Sequence, residues 1–463
     1  MKTACQHESY SATGHLWFGP GTPPAPLRAV VTFLLLLLPI QSVLLVPSIQ
    51  GTTAANLIAF FSIVLCFLYD GDGRRDRYLF GWVSFLVIFA LGYAASQVFA
   101  AISFESRLLD LPLVDERDQN TVLFRSSTFT QLLYLFADIA SFLLFRRFLN
   151  GCRYRSALFA GALLLASYGF YEVLYHGVSG SSGDFLTNRV FGELERSGSL
   201  VQTMQLGTIT LQRLKSLTGE PSMYALTILP YWIYAIHTGH KRTSYVLLFS
   251  LLLSTSTTAY LGVGFYALWR LSATLYSRIR RRVCQYRLRN WIIGTAILLV
   301  LSIAFWDHTL DLISKVFSDK LSAQDQSGAE RYETFARSLG AFAKMNFGSK
   351  LFGCGFGFIR SSDLFSTVLF NIGILGLLLY TLLFAIPILR LANTYENLGL
   401  KLALFVIYIV SMVSVPEWSY LSTWLFLGLA YGQLSNQHAP RRGPLTWKYS
   451  KRREEAPQIE NVA

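Results

Sequence analysis

Read as apolar and polar positions, the chain is a succession of long uncharged runs separated by short polar breaks. "VVTFLLLLLPIQSVLLV" and "WIIGTAILLVLSIAFW" are near or at the length that crosses a bilayer. Together the runs predict an all-α polytopic membrane protein of about twelve transmembrane helices. The predicted segments are 28–48, 53–69, 78–102, 129–145, 156–177, 222–237, 244–254, 258–275, 291–306, 366–388, 401–415 and 419–434. The seventh is too short to cross alone. It meets the eighth at "STSTT", which predicts a break, or two segments reaching into protein rather than lipid.

The polar intervals alternate in charge. One set holds "GRRDR", "RRFLNGCRYR", "HKR", "SRIRRRVCQYRLRN" and the tail "RRGPLTWKYSKRREE". The other holds the net acidic "FESRLLDLPLVDERDQN" and two longer segments, 178–221 and 307–365. The positive-inside rule then predicts cytoplasmic termini and outward-facing long loops. The chain divides into a cytoplasmic tail (1–27), a membrane domain (28–435) and a basic cytoplasmic tail (436–463). In the second loop, Tyr332, Phe335, Leu339 and Phe342 recur at spacings of three and four. That pattern predicts an amphipathic helix lying on the membrane or on the bundle. "LFGCGFGF" follows, with Gly353, Gly355 and Gly357 suited to a tight, irregular connection.

Composition sharpens this picture. The chain is 52% hydrophobic and 14% charged, against roughly a quarter charged in soluble domains. Its net charge of +13 sits in the short loops, so nucleic acid is not an expected partner. The first apolar run lacks a small-residue cleavage site, which predicts a retained span. Cys5, Cys66, Cys152, Cys284 and Cys354 show neither metal-ligand nor disulfide spacing.

Three clusters carry candidate chemistry, all in the predicted outer loops. In "RLKSLTGEPSMYA", Arg213, Lys215 and Glu220 precede Pro221, a good first residue of a helix. They read as an anion site beside a base, or as interfacial cations at a helix start. In the amphipathic helix, Arg337 lies one turn after Glu333 and suits an exposed ion pair, while Arg331 borders the aromatic face. In "GFIRSSDLFSTVLFNIGILG", Arg360, Ser361, Ser362 and Asp363 adjoin the tenth segment. Their plainer reading is an interfacial anchor and a helix N-cap. Asp70 and Asp72 fit a solvated turn, and Asp138 and Glu172 are carboxylates within apolar segments. His176 and His308 stand singly, and the glycine-rich run lacks the strand of a nucleotide loop. Neither a metal nor a cofactor is expected. Arginines and carboxylates at the outer leaflet fit a lipid-attached pyrophosphate: guanidinium grips phosphate, and a carboxylate activates an attacking hydroxyl.

The stretches "RLKSLTGEPSMYA", "LLLSTSTTAYLG" and "FGCGFGFIRSSDLFSTVLFNIGILGLLLY", in that order, resemble the bacterial O-antigen and exopolysaccharide repeat-unit polymerases (Wzy-like), relatives of the O-antigen ligases. The resemblance covers about 210–265 and 330–390. It implies a metal-independent glycosyltransferase of the bacterial inner membrane. The growing glycan would leave its undecaprenyl pyrophosphate at the periplasmic face for the terminal sugar of another lipid-linked repeat unit. Glu220, Asp363 and Arg331 are then the catalytic candidates. Arg213, Lys215, Arg337, Arg360, Ser361 and Ser362 are the substrate-binding ones. Membrane lipids, a chain-length-regulating co-polymerase and a flippase are the partners it implies. Ser361, Ser362 and Asp363 stand where the ligase branch commonly has a histidine, which favours a polymerase. A ligase acting on lipid A core, or a polysaccharide transporter or flippase, are the alternatives.

Overall fold

The computed structural model describes residues 25–47, 49, 51–69, 75–103, 111–114, 123–149, 151–189, 202–206, 209–280 and 326–438. The segment at 291–306, Asp70, Asp72 and His308 lie outside these residues. Thirteen helices are described: α1 (Ala25–Leu37), α2 (Ala54–Tyr69), α3 (Arg75–Ser103), α4 (Ser126–Phe148), α5 (Gly151–Ser179), α6 (Pro221–His237), α7 (Lys241–Leu253), α8 (Thr257–Arg280), α9 (Gln326–Ala343), α10 (Phe347–Phe352), α11 (Leu364–Arg390), α12 (Tyr395–Ser414) and α13 (Leu421–His438). Between α5 and α6, β1 (Thr203–Leu206) and β2 (Ile209–Gln212) form an antiparallel hairpin, followed by a short helical turn at Ser216–Thr218. Among the described residues, five helical stretches are long and apolar enough to cross a bilayer: Leu79–Ile102, Ser126–Phe148, Tyr154–Ser179, Leu364–Arg390 and Tyr395–Ser414. The protein is a helical, multi-pass membrane protein.

The first predicted span is helical only to Leu37. Pro39 explains the stop, since it has no N–H to donate and disfavours helical geometry at Leu38. The chain then turns into the protein, where the amides of Gln41 and Ser42 donate to the Leu217 carbonyl (2.9 and 3.1 Å). The break expected at "STSTT" falls between α7 and α8.

α6 is buried along almost its whole length and packs against α7, α8 and α12. An apolar helix covered on every side belongs at the centre of a bundle. α3 and α11 lie at the opposite extreme, with 17% of each apolar window buried. Lipid is as apolar as these side chains, so their exposure has no penalty in a membrane. The amphipathic helix expected in the second loop is α9. Its buried face centres on Ser338, which is 1% exposed, while Tyr332 is 69% exposed. Ser338 Oγ lies 3.2 Å from Ser361 Oγ, fastening α9 to the start of α11.

α11 is broken at Gly373, whose φ of 70° and ψ of −172° suit glycine alone. The carbonyls released there accept bonds from the glycine-rich run: Cys354 N to Phe370 O and Gly355 N to Asn371 O, both 3.0 Å. Irregular backbone at membrane depth is tolerated where protein satisfies its polar groups in this way. A Cβ at Gly373 would stand 2.3 Å from the Leu351 carbonyl oxygen. Gly373→Ala is therefore expected to lose about 1–3 kcal/mol from backbone strain alone. Thermal unfolding of the purified protein in detergent measures it, and an unchanged midpoint would contradict this packing.

The bundle has chemically distinct ends. Arg146, Arg147, Arg155, Lys241, Arg242 and Arg390 lie at or near helix termini at one. There Arg155 and the Tyr234 hydroxyl both donate to Glu396 Oε1 at 2.7 Å. The other end gathers the starts of α2, α4, α6 and α11 with the 415–420 connection.

Candidate functional site

Among the cavities at this second end, two are both roomy and lined by charged side chains. The larger, of ≈ 790 Å³, is lined by Asn56, Gln131, Tyr134, Arg189, Arg360 and Glu417, among others. The smaller, of ≈ 290 Å³, is lined by Glu220, Ser222, Arg331, Arg360, Ser361 and Ser362, with Ser414–Pro416. Arg360 lines both.

Local structure fixes Arg360 closely. Its amide donates to the Pro112 carbonyl (2.9 Å), beside a backbone bridge between Leu113 and Ile359. Asn371, at the break in α11, holds Ile359 through paired bonds of 2.9 Å to its amide and carbonyl. The guanidinium pairs with Glu417 at 3.1 Å and is crowded by protein, yet 40% of its side chain stays accessible from the cavities. Glu417 raises the Arg360 pKa above its ordinary value, against the opposing effect of burial. Arg189 lines the large cavity from the connection between α5 and β1, donating to the Gln41 carbonyl (3.2 Å) with its guanidinium over the Tyr134 ring.

Five sequence candidates meet at the smaller cleft. Glu220 stands at the N-cap position of α6, directly before Pro221, and its carboxylate accepts from Ser222 Oγ (3.1 Å). Arg331 projects from α9, and its carbonyl accepts from Ser362 Oγ (2.9 Å). Among the described residues its guanidinium makes no hydrogen bond or ion pair. Arg360, Ser361 and Ser362 complete the set.

Four candidates lie elsewhere. Asp363 caps α11: one carboxylate oxygen accepts from Ser366 N (2.7 Å), the other from Ser366 Oγ (2.6 Å). Arg213 clamps Thr255, donating to its hydroxyl (3.1 Å) and carbonyl (3.2 Å). Thr255 has a φ of 44°, a left-handed conformation that threonine seldom adopts unaided. Lys215 is fully buried, 2.5 Å from Asp184 and 4.0 Å from Glu172. Glu172 also accepts from the Ser216 amide (2.9 Å), so this triad holds the 213–220 loop inside the bundle. Arg337 is exposed on α9 and lines neither cavity.

Sequence reasoning missed Arg189 and Glu417. Glu417 had a readable signal, being the only acidic residue between Glu396 and Glu454, in a break between two apolar runs. Arg189 had none, as one of many cations in long loops.

No protein-family model, curated protein or solved structure matches this chain.

Proposed function

We propose that the protein polymerises oligosaccharide repeat units carried on undecaprenyl pyrophosphate, in a bacterial inner membrane, with the two-cavity end facing the periplasm. The observation that carries this reading is Arg360, shared between two cavities, paired with Glu417 and flanked by Arg189 on one side and Arg331 on the other. The basic opposite end supports the orientation, with both chain termini cytoplasmic. In the reaction, the bond from the anomeric carbon to the diphosphate oxygen breaks, and its electron pair leaves with the diphosphate. The acceptor hydroxyl oxygen bonds to that carbon and gives up its proton to a carboxylate. Arginines stabilise the charge growing on the leaving group. Glu220 suits the base better than Asp363, because it lines the cleft while both oxygens of Asp363 are engaged in a helix cap.

Glycans from a strain lacking the protein test this. Single repeats without long chains support a polymerase. Long chains left on the carrier lipid indicate a ligase instead, and an unchanged ladder removes both. Among point variants, Arg331→Ala is expected to lower polymer about tenfold, and Arg337→Ala to leave it within about twofold. Equal ladders from the two, at equal protein levels, would count against the cleft.

A further inference from the structure

The larger cavity has a wall that a purely water-soluble ligand would not need. Three of its lining residues, Ile49, Leu57 and Leu133, are apolar and open, at 56%, 42% and 59% exposure. They form a lip between the start of α2 and the first turns of α4. From Leu57 the apolar surface continues along α2 through Phe61, Val64 and Leu68, which are 56%, 52% and 71% exposed. Offsets of four, seven and eleven residues keep these side chains on one helix face. At the helical rise, the stripe is about 16 Å long. The cavity that holds Arg189 and Arg360 therefore opens sideways onto an unbroken apolar track.

We propose that the donor lipid enters this cavity sideways between α2 and α4. Its diphosphate meets Arg189 and Arg360, and its first isoprenoid units lie along Leu57, Phe61 and Val64. The inference rests on the polymerase reading and adds which cavity receives the donor. The smaller cleft is lined by Glu220, Arg331, Ser361 and Ser362 and none of its lining residues is an exposed large apolar one. It suits the acceptor sugar, whose own lipid lies a repeat unit away. A second apolar groove, of ≈ 580 Å³ between α3 and α4, has no charged residue in its lining and offers a diphosphate nothing.

Photolabelling tests the route. The full-length protein in vesicles is exposed to undecaprenyl diphosphate carrying a diazirine in the isoprene unit next to the phosphates. A diazirine phospholipid in the same vesicles serves as control. Adducts are expected on 57–64, falling about tenfold with excess unlabelled undecaprenyl diphosphate and by a similar factor in Leu57→Trp/Leu133→Trp. Both leucines are exposed, so these substitutions leave the packed core alone. Equal labelling of these peptides by the phospholipid, without competition, would overturn the route and leave a merely lipid-facing wall. Competable adducts confined to the α3–α4 groove would overturn it too, while the diphosphate-binding reading stands. No competable adduct anywhere in the wild-type protein would remove both.

Discussion

Arg360→Ala is expected to abolish long glycan chains, lowering the transfer rate about a hundredfold or more. Loss of one donor aimed at developing charge commonly has that effect. Two features single out this arginine. It is the cationic residue shared by the two cavities, so it touches both the departing diphosphate and the approaching hydroxyl in the proposed reaction. Its partner Glu417 keeps 22% of its side chain accessible, so the variant leaves a carboxylate that water can reach. Folding should therefore survive, which a monodisperse peak of purified variant would verify. Arg360→Lys keeps the charge and loses the two-pronged geometry, so it should recover only part of the activity. The measurement is transfer by purified protein from a synthetic lipid-diphosphate donor, read alongside the surface-glycan ladder. Wild-type rates in Arg360→Ala would end the arginine reading.

The elements that set up this site were legible in the chain to the extent that their causes are local. Pro221 and Glu220 announced the start of α6, and Asp363 with Ser366 makes the helix cap that "RSSD" invited. The spacing of Tyr332, Phe335, Leu339 and Phe342 gave a helix, and α9 runs through it. Pro39 shortened the first segment by a rule that a hydropathy window does not contain, because the run stays apolar beyond it. Partnership is a different matter. Nothing near Lys215 in sequence reveals that Asp184 and Glu172, thirty-one and forty-three residues earlier, will meet it. The pairing of Arg360 with Glu417 likewise joins two loops separated by α11 and α12. Local rules place helix ends; which ends converge is decided by packing.

Lys215 supplies the largest expected stability effect. Lys215→Met removes the cation from between two buried carboxylates, and breaking a buried pair in this way costs about 3–5 kcal/mol. The loss reflects the uncompensated charge left behind, so neutralising the partners should restore much of it. Lys215→Met/Asp184→Asn/Glu172→Gln is thus expected to unfold well above the single variant, a coupling that additive effects would not produce. Acid should act on the same triad. Burial raises the Asp184 pKa, but Lys215 and Thr187 outweigh it and leave the carboxyl below its ordinary 3.8. A depressed carboxyl contributes stability that is fully present above its unfolded value and is lost as pH falls through the folded one. The wild-type protein should therefore lose this contribution only below about pH 4. In Asp184→Asn that acid-sensitive step should be missing. Unfolding midpoints of the four proteins across pH decide the matter, and a Lys215→Met protein as stable as wild type would show that the triad does not hold the loop.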